Sequence, residues 1–452
     1  MAAGSDRFTL LVMAIVEQKT VQLDLYFNDP FYKSFLGDVL FYNDHIYSNI
    51  NPGCSLLAVP AWSVAYFFYQ FIPETSALRH EAIHYFLAHF VSFAFTTALF
   101  STLIAYLLAL IVMKKMRRKW RSFLVALLYA FGSIAFYFST RLNQNIPIAL
   151  ILLLLFIYLF EPNLLKPQQE KKRLITIGVL LGLGIMIDTT IFPVLLVVGL
   201  FLIGRYRQEL RQLIWIVFGA IPPILVNFLY HYFAFGNPLL SPSLVFFQQQ
   251  SGHETHLNSF NFVNLLEFLF TVQSGLFVYL PYGLLAIYYF CRFYQEKRLL
   301  KPIEKVFLLA IAISYLVFLG LLPSDFLFSL FGPRYLLPII PFLCLLIALY
   351  WRKQDFHLGL ILISMGVLFN LAGAQLGNDT KNIIVTATIY IVRGPFLPII
   401  DWLYVELPRS MSVEFDFLSP YGFLLILFWC LFMIWLPKEN YFRAIRLSKD
   451  RS

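Results

Sequence analysis

Lys114-Lys115-Met116-Arg117-Arg118-Lys119-Trp120-Arg121 sets six cations within eight residues, between one apolar run at 84–113 and another at 122–140. Basic loops stay on the cytoplasmic side when apolar helices insert, so this stretch marks the inside of a membrane. The signal recurs at Lys166 to Arg173, Arg205 to Arg211, Arg292 to Lys305, Arg352-Lys353 and Lys438 to Arg451, and these stretches together hold 25 of the 34 lysines and arginines. The others (Arg7, Lys19, Lys33, Arg79, Arg141, Arg334, Lys381, Arg393 and Arg409) fall in segments that alternate with them and so face outside. Composition agrees, since 60% hydrophobic and 13% charged residues are too apolar for a soluble chain of 452 residues. The net charge of +9 sits at helix ends, where it meets anionic membrane lipid, and nucleic-acid binding is excluded. Cys54, Cys291, Cys344 and Cys430 are too scattered for a disulfide framework or a CxxC metal site.

The pattern predicts an all-α, polytopic membrane helix bundle with about 11 transmembrane helices, each taking about 20 apolar residues. Candidate spans are 84–113, 122–140, 142–160, 174–188, 190–203, 213–233, 273–291, 306–322, 335–351, 357–375 and 420–437. An odd number of crossings carries the chain from an external start to its basic, cytoplasmic C-terminal tail. If the apolar run 54–72 also crossed, it would push the 114–121 loop outside; it is therefore expected to lie in the outer interface as a helix ending at Pro73, with Trp62, Tyr66 and Tyr69 as interfacial aromatics. The chain then divides into a first external loop with interfacial helices (1–83), a transmembrane module (84–233), a second external loop (234–272), and C-terminal transmembrane helices with a basic tail (273–452). A further external segment spans 376–419. Met1 to Phe8 lacks the pattern of a signal peptide, and Phe8 to Val16 is too short to span, so a first transmembrane helix is expected ahead of Met1.

The first external loop concentrates polar groups: Asp6, Arg7, Glu17, Asp24, Asp29, Asp38, Asp44, His45, Tyr47, Asn49 and Asn51, then Pro52-Gly53. Any one exposed carboxylate is ordinarily just solvated. Held together at a membrane surface, such groups can act as a general base toward a hydroxyl or amine. Arg334 opens an apolar helix and reads either as a snorkelling arginine or as a guanidinium fork for a phosphate. Arg141, followed by Asn143 and Asn145 in a short turn, admits the same two readings. Asp188 is costly near the end of an apolar helix unless it faces a cavity or a partner. His253, Glu254 and His256 lack the helical H-E-x-x-H spacing, so no metal site is assigned, while a divalent cation stays open. Asn378-Asp379-Thr380 fits a glycosylation acceptor. The sequence contains no P-loop, dinucleotide fingerprint, nucleophile elbow or internal repeat.

Several blocks occur in a telling order. They are Asp6-Arg7 with Ala14-Ile15-Val16-Glu17; His45-Ile46-Tyr47-Ser48; Pro52-Gly53-Cys54-Ser55-Leu56-Leu57-Ala58-Val59-Pro60; Phe235-Gly236-Asn237-Pro238; Gly275-Leu276-Phe277-Val278-Tyr279-Leu280-Pro281; and Phe331-Gly332-Pro333-Arg334-Tyr335-Leu336-Leu337-Pro338. In this order the chain resembles the GT-C superfamily of membrane glycosyltransferases, in the branch of protein O-mannosyltransferases and bacterial aminoarabinose transferases. The resemblance implies an inverting, single-displacement transfer of a sugar from a polyprenyl-phosphate donor to a lipid, glycan or protein acceptor, on the outer face of a bacterial inner membrane. It implies Asp6 as the catalytic base, and Arg7, Asp44, His45, Tyr47, Asn51, Arg141, Arg334 and Tyr335 as substrate-binding residues. Two positions depart from the family pattern. Ile50 stands where a phosphate-binding lysine is expected, and Ser274 where an arginine is expected. A transporter or lipid flippase remains as an alternative, although the charges cluster at the surfaces rather than within spans. A non-catalytic GT-C-like protein is the third reading.

Overall fold

The structure, a computed structural model, describes residues 6–393 except residues 38, 74–75, 77–78, 163, 165–168, 243, 246–259, 297, 322–330 and 377–381. Span 420–437, the basic tail, Cys430, Asp38, the His253-Glu254-His256 cluster and Asn378-Asp379-Thr380 lie outside the described residues.

The first segment begins at Asp6, whose carboxylate accepts the Thr9 amide and caps α1 (Arg7–Met13). A π-turn at Ala14–Gln18 follows and ends where Lys19 adopts a φ of 58°. After α2 (Asp24–Asn28), Asp29 caps α3 (Pro30–Lys33), and Pro30 supplies a preset φ at its first position. Strands β1 (Val39–Tyr42) and β2 (His45–Ser48) then pair antiparallel, with Tyr42 opposite His45. Asn43 and Asp44, at φ 48° and 63°, make a two-residue turn that matches the twist of a hairpin. The sequence reading expected only helices here. Strands of four residues give too little alternation to register as β.

α4 (Gly53–Tyr69) is the helix expected over 54–72, and Val64, Phe67 and Phe68 lie exposed along it. Trp62 departs from its expected interfacial role. It is fully buried because its indole N–H donates to the Glu17 carboxylate at 2.9 Å, drawing the ring inward.

α5 (Glu81–Phe93) passes through a π-turn at Ala94–Ala98 into α6 (Leu99–Met116). There follow α7 (Lys119–Gly132), α8 (Ala135–Ser139), α9 (Asn145–Phe160), α10 (Glu170–Ile187), α11 (Phe192–Arg205) and α12 (Ile214–Phe235). The later helices are α13 (Phe262–Phe270), α14 (Leu276–Tyr279), α15 (Tyr282–Arg292), α16 (Pro302–Gly320), α17 (Ile340–Tyr350), α18 (Phe356–Leu376) and α19 (Ile383–Arg393). The molecule is thus an all-α, polytopic membrane helix bundle carrying one small hairpin, and each predicted span other than 420–437 coincides with helix.

Among the described residues, four helices are long and apolar enough to cross a bilayer by themselves: Glu81–Met116, Leu210–Phe235, Pro302–Gly320 and Phe356–Gln375. Several others are cut short by breaks. Predicted span 122–140 breaks after Gly132, 273–291 breaks at Leu280-Pro281, and 335–351 opens with a 3-10 turn at Arg334–Ile339. Irregular backbone at membrane depth is tolerated only where protein or a cavity, rather than lipid, surrounds it. α10 and α12 touch backbone to backbone. A Cβ on Gly178 would lie 2.0 Å from the Ile216 carbonyl oxygen, and one on Gly219 2.1 Å from that of Ile175.

Candidate active site

The first segment is locked to the bundle by short backbone contacts. Asn51 donates to the Ile185 carbonyl at 3.0 Å, and Gly53 sits so close to Met186 and Ile187 that a Cβ there would meet the Met186 carbonyl oxygen at 2.5 Å. The Cys54 thiol points at the Asn143 carbonyl, 3.0 Å away, and Ser55 Oγ donates to the Phe8 carbonyl. The Pro52-Gly53 corner therefore seats α1 and α4 against the ends of α9 and α10.

Asp6 is buried there with both oxygens engaged. Oδ1 accepts the Thr9 amide at 3.2 Å; Oδ2 accepts the Tyr85 hydroxyl at 2.8 Å and lies 2.5 Å from His89 Nδ1. Burial alone would push the Asp6 carboxyl up, but the His89 charge, together with the hydrogen bonds of His89, Thr9 and Tyr85, outweighs it and holds the group below its ordinary value. That direction favours the ionised carboxylate, with these neighbours as its hydrogen-bond partners. Arg7 is buried beside it, its guanidinium 5.5 Å from the Phe8 ring centre.

A second cluster joins the segments that carry the two arginines. Arg141 lies 3.9 Å over the Tyr137 ring and donates to the Tyr137 hydroxyl at 2.6 Å. Tyr137 stacks on Phe331 with ring centres 4.5 Å apart, and Gly332, at φ 65°, turns the chain into Arg334. Arg334 donates to the Tyr335 hydroxyl at 2.8 Å and acts electrostatically on Asp188. Cys54 links the clusters, because the charges of both Asp6 and Asp188 reach its buried thiol and help push it up, after burial itself. Asp6, Arg7 and Asn51 thus lie on the segment seated at the Pro52-Gly53 corner, and Arg334 reaches Asp188 beside it electrostatically.

Asp44 and His45 sit apart, on an open cleft of about 790 Å³ at the hairpin tip, walled by Phe27, Phe41 and Tyr42 and lined by Asp24. Asp24 Oδ2 is 2.7 Å from His45 Nδ1, and its Oδ1 accepts the Ile46 amide. Tyr47 is buried against Phe235, with ring centres 5.3 Å apart. An apolar groove of about 440 Å³ runs between α10 and α12, lined by Leu181, Ile185, Ala220, Ile224 and Phe228 among others. The Ile185 carbonyl that receives Asn51 belongs to a residue of its wall.

The sequence reading passed over His89, Tyr85 and Thr9. A signal was there for His89. A titratable side chain one helical turn after Tyr85, inside an otherwise apolar run, is itself a pointer to a site.

Residues 82–231, which contain His89, Arg141 and Asp188, match the family of dolichyl-phosphate-mannose-protein mannosyltransferases. The match covers 150 of the 452 residues. No curated protein matches the chain. Among solved structures, this chain is similar to ArnT from Cupriavidus metallidurans in the apo state (13% identity, TM-score 0.46, covering 83% of this chain and 59% of that one). It is similar also to the same protein bound to undecaprenyl phosphate (12% identity, TM-score 0.48, 86% and 66%). A third likeness is to the Archaeoglobus fulgidus oligosaccharyltransferase in the apo form (13% identity, TM-score 0.41, 92% and 56%). This chain therefore spans 56% to 66% of the length of those proteins. At such scores these three likenesses add no argument about activity.

Proposed function

We propose that the protein transfers a sugar from a polyprenyl-phosphate donor to a hydroxyl- or amine-bearing acceptor at the outer face of a bacterial inner membrane, with the C-terminal tail in the cytoplasm. The observation that carries this reading is the family match over residues 82–231, because α5 to α12 are the helices on which the Asp6 segment and Asp188 are mounted. The α10–α12 groove suits a prenyl tail, being apolar and reaching Ile185 beneath the Asn51 contact.

The displacement is a single one. An acceptor oxygen or nitrogen forms a bond to the anomeric carbon, the bond from that carbon to the phosphate oxygen breaks, and the configuration inverts. Arg334 binds the phosphate as it takes up the leaving electron pair, and Arg141 adds positive potential from its seat on Tyr137. The cluster around Asp6 receives the acceptor's proton. A nucleotide has no part in this chemistry. The domain division, with external loops at 1–83 and 234–272 flanking the module at 84–233, belongs to the same proposal.

The test is transfer of label from a polyprenyl-phosphate sugar pool in membranes. Arg334→Ala is expected to weaken both donor binding and turnover, because the phosphate charge is present in the ground state and grows in the transition state. Arg334→Lys recovers only part, since an ammonium cannot reproduce a bidentate fork. Unaltered transfer in Arg334→Ala would remove this residue from the site. A second reading, a GT-C-like protein without transfer activity, draws on Ile50 and on Ser274, which is buried with its hydroxyl 3.2 Å from that of Thr271 and brings no cation. A parent chain that transfers no label from any donor in the pool would favour it.

A further inference from the structure

We infer that the atom that takes the acceptor's proton is Nε2 of His89, with Asp6 holding and charging the imidazole from behind. The inference rests on the transferase reading and departs from the sequence-based expectation that Asp6 itself is the base.

The geometry argues against direct attack by Asp6. Its residue is 8% exposed, one carboxylate oxygen caps α1 through the Thr9 amide, and the other is shared by Tyr85 Oη and His89 Nδ1. An acceptor hydroxyl reaching Oδ2 would have to displace a hydrogen bond and then compete with two donors. A carboxylate so supplied is also a weak base, since each donor stabilises the ionised form. The histidine is placed differently. Its side chain is 25% exposed, its Nδ1 faces Asp6 Oδ2 at 2.5 Å with Thr9 Oγ1 at 3.1 Å, and the Tyr85 ring stacks along it. An ionised Asp6 requires the proton to sit on Nδ1. In the neutral ring the lone pair is then on Nε2, which makes no hydrogen bond among the described residues. This is the division of labour of a carboxylate–imidazole pair: the acid fixes the tautomer and stabilises the imidazolium, while the ring moves the proton.

The step balances without a co-reactant. The acceptor O–H (or N–H) proton passes to His89 Nε2, the oxygen (or nitrogen) bonds to the anomeric carbon, and the polyprenyl phosphate leaves with the electron pair of the broken C–O bond. The imidazolium beside the Asp6 carboxylate then returns its proton to water. The charged or titratable groups around the ring are Asp6 and Tyr85, with Arg7 next in the chain to Asp6 and Cys54 within reach of the Asp6 charge.

His89→Gln separates the two assignments, because its amide can still donate to Asp6 but cannot take a proton near neutral pH. If His89 is the base, kcat falls by about 10²–10⁴-fold with little change in donor KM, and the acid limb of the pH–rate profile disappears. If Asp6 is the base and His89 merely positions it, His89→Gln keeps most of its kcat and the acid limb remains. That result overturns the inference. A parent that transfers nothing sinks the transferase reading and this role together, whereas an active parent with an active His89→Gln sinks the role alone. An independent readout is the 15N shift of the His89 ring nitrogens in labelled protein in micelles. Nδ1 is expected to be protonated and Nε2 bare in the neutral form, with that tautomer preference weakened or reversed in Asp6→Asn. An unchanged tautomer in that variant would dissolve the pair, and His89→Asn gives the same kinetic comparison should His89→Gln fail to fold.

Discussion

At the Asp6 end of the molecule three carboxylates face histidines: Asp6 meets His89, Glu17 meets His84 at 3.4 Å, and Asp24 meets His45. At the opposite, basic end they face permanent cations. Glu161 is held by Lys114 and Lys115 at 2.7 Å each, the fully buried Glu304 by Lys115 at 3.1 Å, and Glu170 by Arg173. Cations there also close helix ends. Arg121 donates to the carbonyls of Ala348 and Leu349 in the last turn of α17 and of Trp351 just after it, and Lys305 to those of Phe293 and Tyr294 past the end of α15. Lysine and arginine keep their protons across the physiological range, so the basic end is a fixed clamp. Histidine is the side chain that exchanges a proton near neutrality, which suits the other end to chemistry.

The strongest way to break this comparison is to remove the charge from each end in turn. Asp6→Asn keeps the shape of the pair but deprives the imidazole of its counter-charge and can reverse its tautomer. Transfer should fall by about 10²–10⁴-fold with donor binding little changed. Transfer equal to the parent's would mean that the His89 imidazole does not depend on Asp6.

At the basic end the expected effect is on stability instead. Lys115→Met leaves Glu304 buried without its cation and should cost about 3–5 kcal/mol, read as a lower unfolding midpoint in detergent. Lys115→Met with Glu304→Leu should recover much of the loss, because an apolar pair of similar volume also removes the desolvation penalty. A single variant as stable as the parent would mean that the clamp is ornamental.

The basic clusters were legible in the sequence, while their glutamate partners and the histidine pairs were not, for a physical reason. Clusters such as Lys114 to Arg121 declare which side of a membrane they occupy through local composition alone, and the apolar runs between them give the helices. Asp6 and His89, by contrast, meet across 83 residues of chain, and nothing local at either position announces its partner. The arginines at 141 and 334 could be singled out as phosphate candidates, but only the Tyr137–Phe331 stack shows that the segments carrying them pack against each other. Helix breaks at Gly132 and Pro281 shortened spans that hydropathy drew as continuous, since an apolar composition does not report where backbone hydrogen bonds stop.

Acid sharpens the contrast less steeply. Asp6 sits below its ordinary 3.8, so its stabilising contribution is complete above that value and is lost as the pH falls through the lower, folded-state pKa. Glu161 behaves alike. Burial would raise it from 4.5, but hydrogen bonds and charge from Lys114 and Lys115 pull it below. Both ends therefore loosen in acid, and Asp6→Asn should remove only its own share. Thermal unfolding in detergent at decreasing pH should show a shallower acid-side decline for Asp6→Asn than for the parent, and identical slopes would mean that Asp6 is no better stabilised folded than unfolded.

The smallest effect concerns the hairpin tip, where the His45–Asp24 pair is more exposed than the Asp6 pair and the residue next to it carries backbone strain. Asp44 holds a φ of 63° that glycine adopts freely, and Asn-Gly is a preferred pair for such a turn. Asp44→Gly should therefore leave the unfolding midpoint unchanged or slightly raised, so any kinetic change reports the lost carboxylate and not a damaged fold. If Asp44 contacts the acceptor from the rim of the cleft, the acceptor KM should rise by about fivefold, the worth of one hydrogen bond of about 1 kcal/mol, with kcat and donor KM unchanged. An unchanged acceptor KM would reduce Asp44 to a turn residue. The chemistry of the first segment would then be concentrated around Asp6, Tyr85 and His89, where the carboxylate is buried and its partner can pass a proton on.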